Sequence, residues 1–315
     1  MEENVTPRNT EGNITKNGSE RMGFLPMDAD ILPPTDDRIF KVMLCWPEAE
    51  PFLMKLIAGI IRRNVIGVTV LNNEIPISDT QEKAERFDVN CKIDDGSQIN
   101  LEMQASRMKE DRGSEHNNLK GRSIYFLCDL HSSQPARGQQ RYDRLMQTYQ
   151  VTFCSYTVFP HRKDYVNSFS IRHDADNELL HDAIQTVIVE LSKLEDIVKK
   201  PVETMTDLEK FSVFFEYAEK PAYRETVNKV IESEEVLTVA GNLLMNISQD
   251  ERERAIFRSR KKFSMDIASD MATAKDIGIQ EGIAIMVRKL KEDGEMSIEA
   301  IARLSGLSIA EIEDL

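Results

Sequence analysis

Two carboxylates and an amide, Asp88, Glu102 and Gln104, are spaced so that one face of a β-hairpin would gather them. Phe87, Val89, Cys91 and Ile93 alternate with Asp88, Asn90 and Lys92, the period of a half-buried strand. Asp94-Asp95-Gly96-Ser97 supplies turn chemistry, because Gly accepts positive φ and Asp bonds its own backbone. A second alternation follows, with Ile99, Leu101 and Met103 on one side and Asn100, Glu102 and Gln104 on the other. Oxygen ligands of this kind suit a hard divalent cation such as Mg²⁺. The same spacing also describes an ordinary solvated face, and by itself it leaves both readings open.

The elements that must position this hairpin are legible on both sides of it. Leu32-Pro-Pro-Thr-Asp-Asp reads as a helix entry with Thr35 or Asp36 as N-cap, followed by Phe40, Val42, Met43 and Leu44 and a stop near Pro47. Apolar residues at helical spacing over 48–63 predict a second helix packed on a sheet. Val65 to Leu71 reads as a strand. Ser114 to Ser133 predicts a long helix with Leu119, Tyr125, Phe126, Leu127 and Leu130 inward, and Gln147 to Phe159 and Tyr165 to Ile171 predict two further strands. From Leu179 the pattern reads as helical to the end, with Leu180, Ile184, Val187, Ile188, Leu191 and Leu194 in one stripe.

Several matches around the hairpin carry a family resemblance. Asp88, Glu102 and Gln104 occupy the places of the PD-(D/E)xK nuclease signature, with Gln where Lys is commoner. Asp37-Arg-Ile-Phe-Lys41, the lead-in Lys83 and Arg86, Arg122-Ser-Ile-Tyr125 and Gly138-Gln-Gln-Arg-Tyr142-Asp-Arg-Leu145 resemble motifs of the Rpn-type recombination-promoting nucleases, a transposase-like branch of that superfamily. The resemblance is strong over 28–160 and looser beyond. It implies an α/β fold of order α-β-β-β-α-β, a restriction-endonuclease-like core whose mixed central sheet is flanked by helices, with an all-α C-terminal region. The expected organisation is a disordered tail over 1–27, a nuclease-like domain over 28–175 and a helical region over 176–315.

What the resemblance implies chemically is Mg²⁺- or Mn²⁺-dependent hydrolysis of DNA phosphodiesters, linked to recombination or mobile elements. Asp88 and Glu102 would hold the metal, with the Met103 carbonyl as a further ligand, and Gln104 would orient the attacking water or a phosphate oxygen. Lys41, Lys83 and Arg122 are the candidate cations for phosphate. Asp37 is either an accessory acid or, more simply, a helix N-cap. The alternative is a binding module for DNA or protein that keeps the fold without the chemistry. Strand joining asks for more positioning than cleavage and ranks below it.

Composition sets the remaining bounds. The net charge of −14 lacks the basic footprint usual for phosphate binding, but the imbalance is uneven. Residues 176–315 carry −11 of it and residues 1–175 carry −3, while 107–144 holds eight Lys or Arg against five acids. Met1 to Gly23 is polar and reads as disordered. Cys45, Cys91, Cys128 and Cys154 are scattered, which argues against a zinc site and for reduced thiols in a cytoplasmic protein. No stretch reads as a signal peptide or a membrane span, and no membrane partner is expected. The basic run 252–262 reads as a solvated helix face.

The last segment, from Ser297, resembles two helices of a helix-turn-helix, with Ser308 and Glu311 as a capping box. Its second helix offers Glu311, Glu313 and Asp314, which phosphates repel, so it reads as a packing or interaction element. The helical C-terminal region is the expected route to any homo-oligomer.

Overall fold

The computed structural model describes residues 23–71, 89–105, 118–134 and 142–315. These form two compact units, one ending at Asp250 and the other running from Glu251 to Leu315.

In the first unit, helices α1 (Asp37–Cys45) and α2 (Glu50–Ile61) precede strand β1 (Val68–Val70) and a hairpin of β2 (Val89–Ile93) and β3 (Gln98–Gln104). Helix α3 (Asn118–Ser132) leads to β4 (Thr148–Cys154), β5 (Val166–Phe169) and β6 (Ile184–Glu190), then to α4 (Asp207–Tyr217), α5 (Arg224–Glu232) and α6 (Glu235–Gln249). The six strands lie in the order β1-β2-β3-β4-β6-β5. β1–β2, β2–β3 and β5–β6 are antiparallel, while β3–β4 and β4–β6 are parallel. The mixed sheet with flanking helices bears out the fold class read from the sequence.

The hairpin turn forms as its residues dictate. Gly96 takes φ +88, and the Ser97 N–H donates to Asp95 Oδ1 at 2.8 Å. At α1 the N-cap is Asp36, whose side chain accepts from the N–H groups of Arg38 and Ile39. Asp37 is thus the first helical residue rather than the cap, and its Oδ1 accepts from the Arg38 N–H at 2.8 Å.

Alternation sorts the sheet into two faces. On one, Leu101 and Met103 of β3 and Val151 and Phe153 of β4 are buried beneath the N-terminal helices and α4. Phe153 meets Phe40 of α1 and Phe215 of α4, with centroids 5.6 and 5.5 Å apart, and Phe52 of α2 meets Phe211 at 5.0 Å. The opposite face is polar along β3 and β4, and α3 covers it.

Two expectations are corrected here. The stripe over 180–194 is not helical, because residues 184–190 form β6, paired with both β4 and β5. A strand buried on both faces of a sheet is apolar without alternation, so its Ile-Gln-Thr-Val-Ile-Val run also satisfies a helical template. The sheet therefore extends past residue 176, and the compact unit closes at Asp250. Second, the described end of the expected tail is docked: Leu25 is fully buried. Its N–H donates to Asn228 Oδ1 and its carbonyl accepts from Asn228 Nδ2, both at 2.9 Å. Gly23 N–H donates to Asn242 Oδ1 at 2.7 Å, and the buried Arg224 donates to the Pro26 carbonyl at 2.8 Å.

This docking needs a glycine in α6, because a Cβ on Gly241 would overlap the Gly23 carbonyl. Gly241→Ala should lower stability by about 1–3 kcal/mol through overpacking, despite alanine's better helix propensity. Gly121→Ala in α3, where a Cβ meets open space, should stabilise slightly. Urea midpoints of the two variants check the contrast.

The second unit is built on a 43-residue helix, α7 (Glu251–Asp293), with α8 (Ile298–Ser305) and α9 (Ile309–Asp314). Val287, Ile301 and Ile312 form its core. Gly306 ends α8 in the left-handed region, and Ser308 with Glu311 forms the expected capping box. Among the described residues, no helix is long and apolar enough to cross a membrane.

Candidate active site

Glu102 sits in β3 on the polar face and is only 3% exposed. Its Oε1 accepts from Gln104 Nε2 at 2.6 Å and pairs with Arg122 Nη2 at 2.5 Å. Oε2 accepts from Gln150 Nε2 at 3.3 Å. Gln150, fully buried on the neighbouring parallel strand β4, accepts in turn from Asn100 Nδ2 at 2.8 Å. Thr152 of β4 follows on the same face, with its hydroxyl 3.5 Å from that of Ser123 on α3. Among the described residues, the β3–β4 face is a ladder of amides, hydroxyls and one carboxylate, roofed by a helix.

Each part has a local cause. The parallel register sets Asn100 beside Gln150 and Glu102 beside Thr152, so period-2 polar positions on two strands merge into one surface. α3 turns Leu119, Ser123 and Leu127, at helical spacing, onto that surface. Arg122, one position from Ser123, rises at its edge and lies over the Phe126 ring at 5.2 Å. A buried carboxylate is tolerated where charge-assisted hydrogen bonds replace water, and Arg122 and the two glutamines supply them.

The thiol of Cys154, fully buried at the end of β4, is pushed up by burial and then by the Glu190 and Glu102 charges. Asn100 Oδ1 is buried with no hydrogen-bond partner among the described residues. Carboxylate and amide oxygens are the hard donors that a divalent cation takes, and Glu102 with Asn100 Oδ1 offers that kind of donor; among the described residues no group of three His, Cys, Asp or Glu side chains gathers to hold an ion.

Of the residues singled out in the sequence, the structure brings Glu102, Gln104 and Arg122 together. Asp88 and Lys83 lie outside the described residues; Asp88 directly precedes Val89, whose Cα partner in the hairpin is Leu101. The Met103 side chain is buried on the aromatic face, so any ligand it offers is its carbonyl. Lys41 is 4% exposed in α1, and its charge bears on the Cys45 thiol. Tyr125 is exposed rather than inward, and Tyr142 of the turn motif is exposed as well. Sequence reasoning missed Gln150 as a partner of the carboxylate and Asn100 as the partner behind it. The signal was the alternation Thr148, Gln150, Thr152 against Tyr149, Val151, Phe153.

This sheet, with an acid-bearing strand between a hairpin partner and a parallel strand under a helix, defines a PD-(D/E)XK nuclease fold. Over residues 34–274 the chain matches the PD-(D/E)XK nuclease family transposases, and it belongs to that family. No curated protein and no solved structure matches it significantly. The matched region runs through β6 and α4–α6 and into α7.

Proposed function

We propose that the chain is a divalent-metal-dependent DNA endonuclease of the Rpn type, hydrolysing phosphodiester bonds in recombination or in the life of a mobile element. The observation that carries this reading is Glu102, a carboxylate buried in a central strand where an apolar side chain would be the more stabilising choice. In this reading Asp88 supplies the second carboxylate and the Met103 carbonyl a further oxygen. A bound Mg²⁺ or Mn²⁺ supplies a water of lowered pKa and charge to offset that of the scissile phosphate.

The chain's own residues have distinct parts. Gln104 donates to Glu102 Oε1, fixing the carboxylate, and orients the attacking water. Gln150 holds the second oxygen from the neighbouring strand. Arg122, about half exposed, neutralises Glu102 in the structure described and contacts a DNA phosphate when the carboxylate takes a cation. Lys41 and Lys83 are secondary candidates for phosphate, and Asp37 for an accessory acid. Four free cysteines fit work in a reducing cytoplasm.

The second reading, a binding module that does not cleave, draws on the uncharged Gln104 in the Lys position. A metal titration separates the two. Mg²⁺ or Mn²⁺ at a hundred times its Kd should stabilise the wild type by about 2.7 kcal/mol, a Tm rise of about 5 °C, and leave Asp88→Ala unmoved. Equal shifts in both proteins would overturn the site.

A further inference from the structure

The long helix of the second unit carries two apolar faces and uses one. Ile283, Val287 and Leu290 pack with Ile301 and Ile312 of α8 and α9. At 100° per residue, the opposite side carries Ile256, Phe263, Ile267, Met271, Ala274, Gly278, Gly282 and Ile285, interrupted by Arg260, Ser264 and Glu281. Phe263 is 61% exposed, Met271 45% and Ile285 54%, so this stripe faces solvent along most of the helix. A soluble helix with so long an exposed apolar stripe marks an interaction surface.

We propose that the stripe pairs with the same stripe of a second copy of this chain, antiparallel and centred between Asp270 and Met271. The stripe is self-complementary in volume and in charge. Its positions recur every eleven residues, as in Ile256, Ile267 and Gly278, or Phe263, Ala274 and Ile285. That period keeps two helices nearly straight, with a slight right-handed coil. In the antiparallel register Ile256 faces Ile285, Phe263 faces Gly278, and Ile267 faces Ala274, so large side chains of one half enter the space left by small ones of the other. Arg260 crosses over Gly282 beside Glu281, and the symmetry repeats each pairing. A parallel pair would stack Phe263 on Phe263 and Arg260 on Arg260 and would leave Gly278 and Gly282 facing voids. The chain's acidic net charge does not oppose this contact, since residues 251–262 hold six bases against two acids and 263–282 hold four acids against one base.

The test uses the full chain in a Cys128→Ser background, which removes the exposed native thiol. Sedimentation should show a dimer at micromolar concentrations, with Arg260→Glu weakening it at least tenfold and added Glu281→Arg restoring it. Under mild oxidation Met271→Cys should cross-link to itself. Phe263→Cys alone should not, and Phe263→Cys combined with Gly278→Cys should. A monomer at tens of micromolar, or self-cross-linking of Phe263→Cys as efficient as that of Met271→Cys, would overturn the proposal. Circular dichroism of each variant confirms that the helix is retained. Nuclease activity is not the readout, so failure here is distinct from failure of the metal site.

Discussion

Glu190→Ala should cost the chain about 3–5 kcal/mol of stability, the loss expected when one partner of a buried ion pair is removed. Glu190 ends β6 and is fully buried. Its Oε1 accepts from the backbone N–H groups of Val158 and Phe159 at 2.6 and 2.9 Å. Its Oε2 accepts from Asn167 Nδ2 at 2.8 Å and from Lys193 Nζ at 2.6 Å. Four donors thus converge on one carboxylate, tying the segment after β4 and the edge strand β5 to the end of β6. Truncation leaves two backbone amides without their acceptor and strips the nearly buried Lys193 ammonium of its counter-charge, leaving it only the Phe159 and Asp164 carbonyls, beside the cluster of Leu119, Val158, Phe159 and Ile188. Glu190→Gln, which keeps an acceptor and the volume, should lose less. Glu225→Ala, breaking the exposed pair with Lys229, should lose nothing measurable. Urea denaturation of the three variants side by side checks the order.

The second large effect falls on chemistry rather than stability. Glu102→Gln should leave the fold intact and lower metal-dependent cleavage by at least about a thousandfold, the rate equivalent of several kcal/mol of transition-state stabilisation. The amide can still meet Gln104 and Gln150, and Arg122 is exposed enough to be solvated once its partner is gone. What the variant lacks is the negative charge that a cation needs. Circular dichroism and Tm should therefore stay near wild type while the rate collapses. A rate within threefold of wild type would show that the carboxylate has a structural role alone.

How much of this was written in the sequence depends on whether a feature is local. The hairpin was legible because its alternation and its turn both act over a few residues, and Gly96 adopts the positive φ that the turn asks for. The helix–strand order around it was legible for the same reason. β6 was not, because a strand buried between two neighbours loses the alternation that identifies strands, and its apolar run fits a helical stripe equally well. Glu102 and Gln104 were named from spacing, whereas their enclosure by Gln150 and Arg122 depends on the β3–β4 register and on α3, which are properties of the assembled sheet. The docked segment from Gly23 was missed because its recognition lies in Asn228 and Asn242, about two hundred residues away in the chain. Asp36 and Asp37 were both plausible caps, and backbone geometry chose the first.

Nicking of supercoiled plasmid by the full chain, first in EDTA and then with Mg²⁺ or Mn²⁺ restored, tells a metal-dependent nuclease from a protein that keeps only the fold. A metal-dependent nuclease gives no cleavage in EDTA, cleavage proportional to protein once metal is added, and none above background from Glu102→Gln or Asp88→Ala. Metal-dependent nicking by Glu102→Gln at the wild-type rate, or a folded wild type silent with both metals, would contradict that assignment.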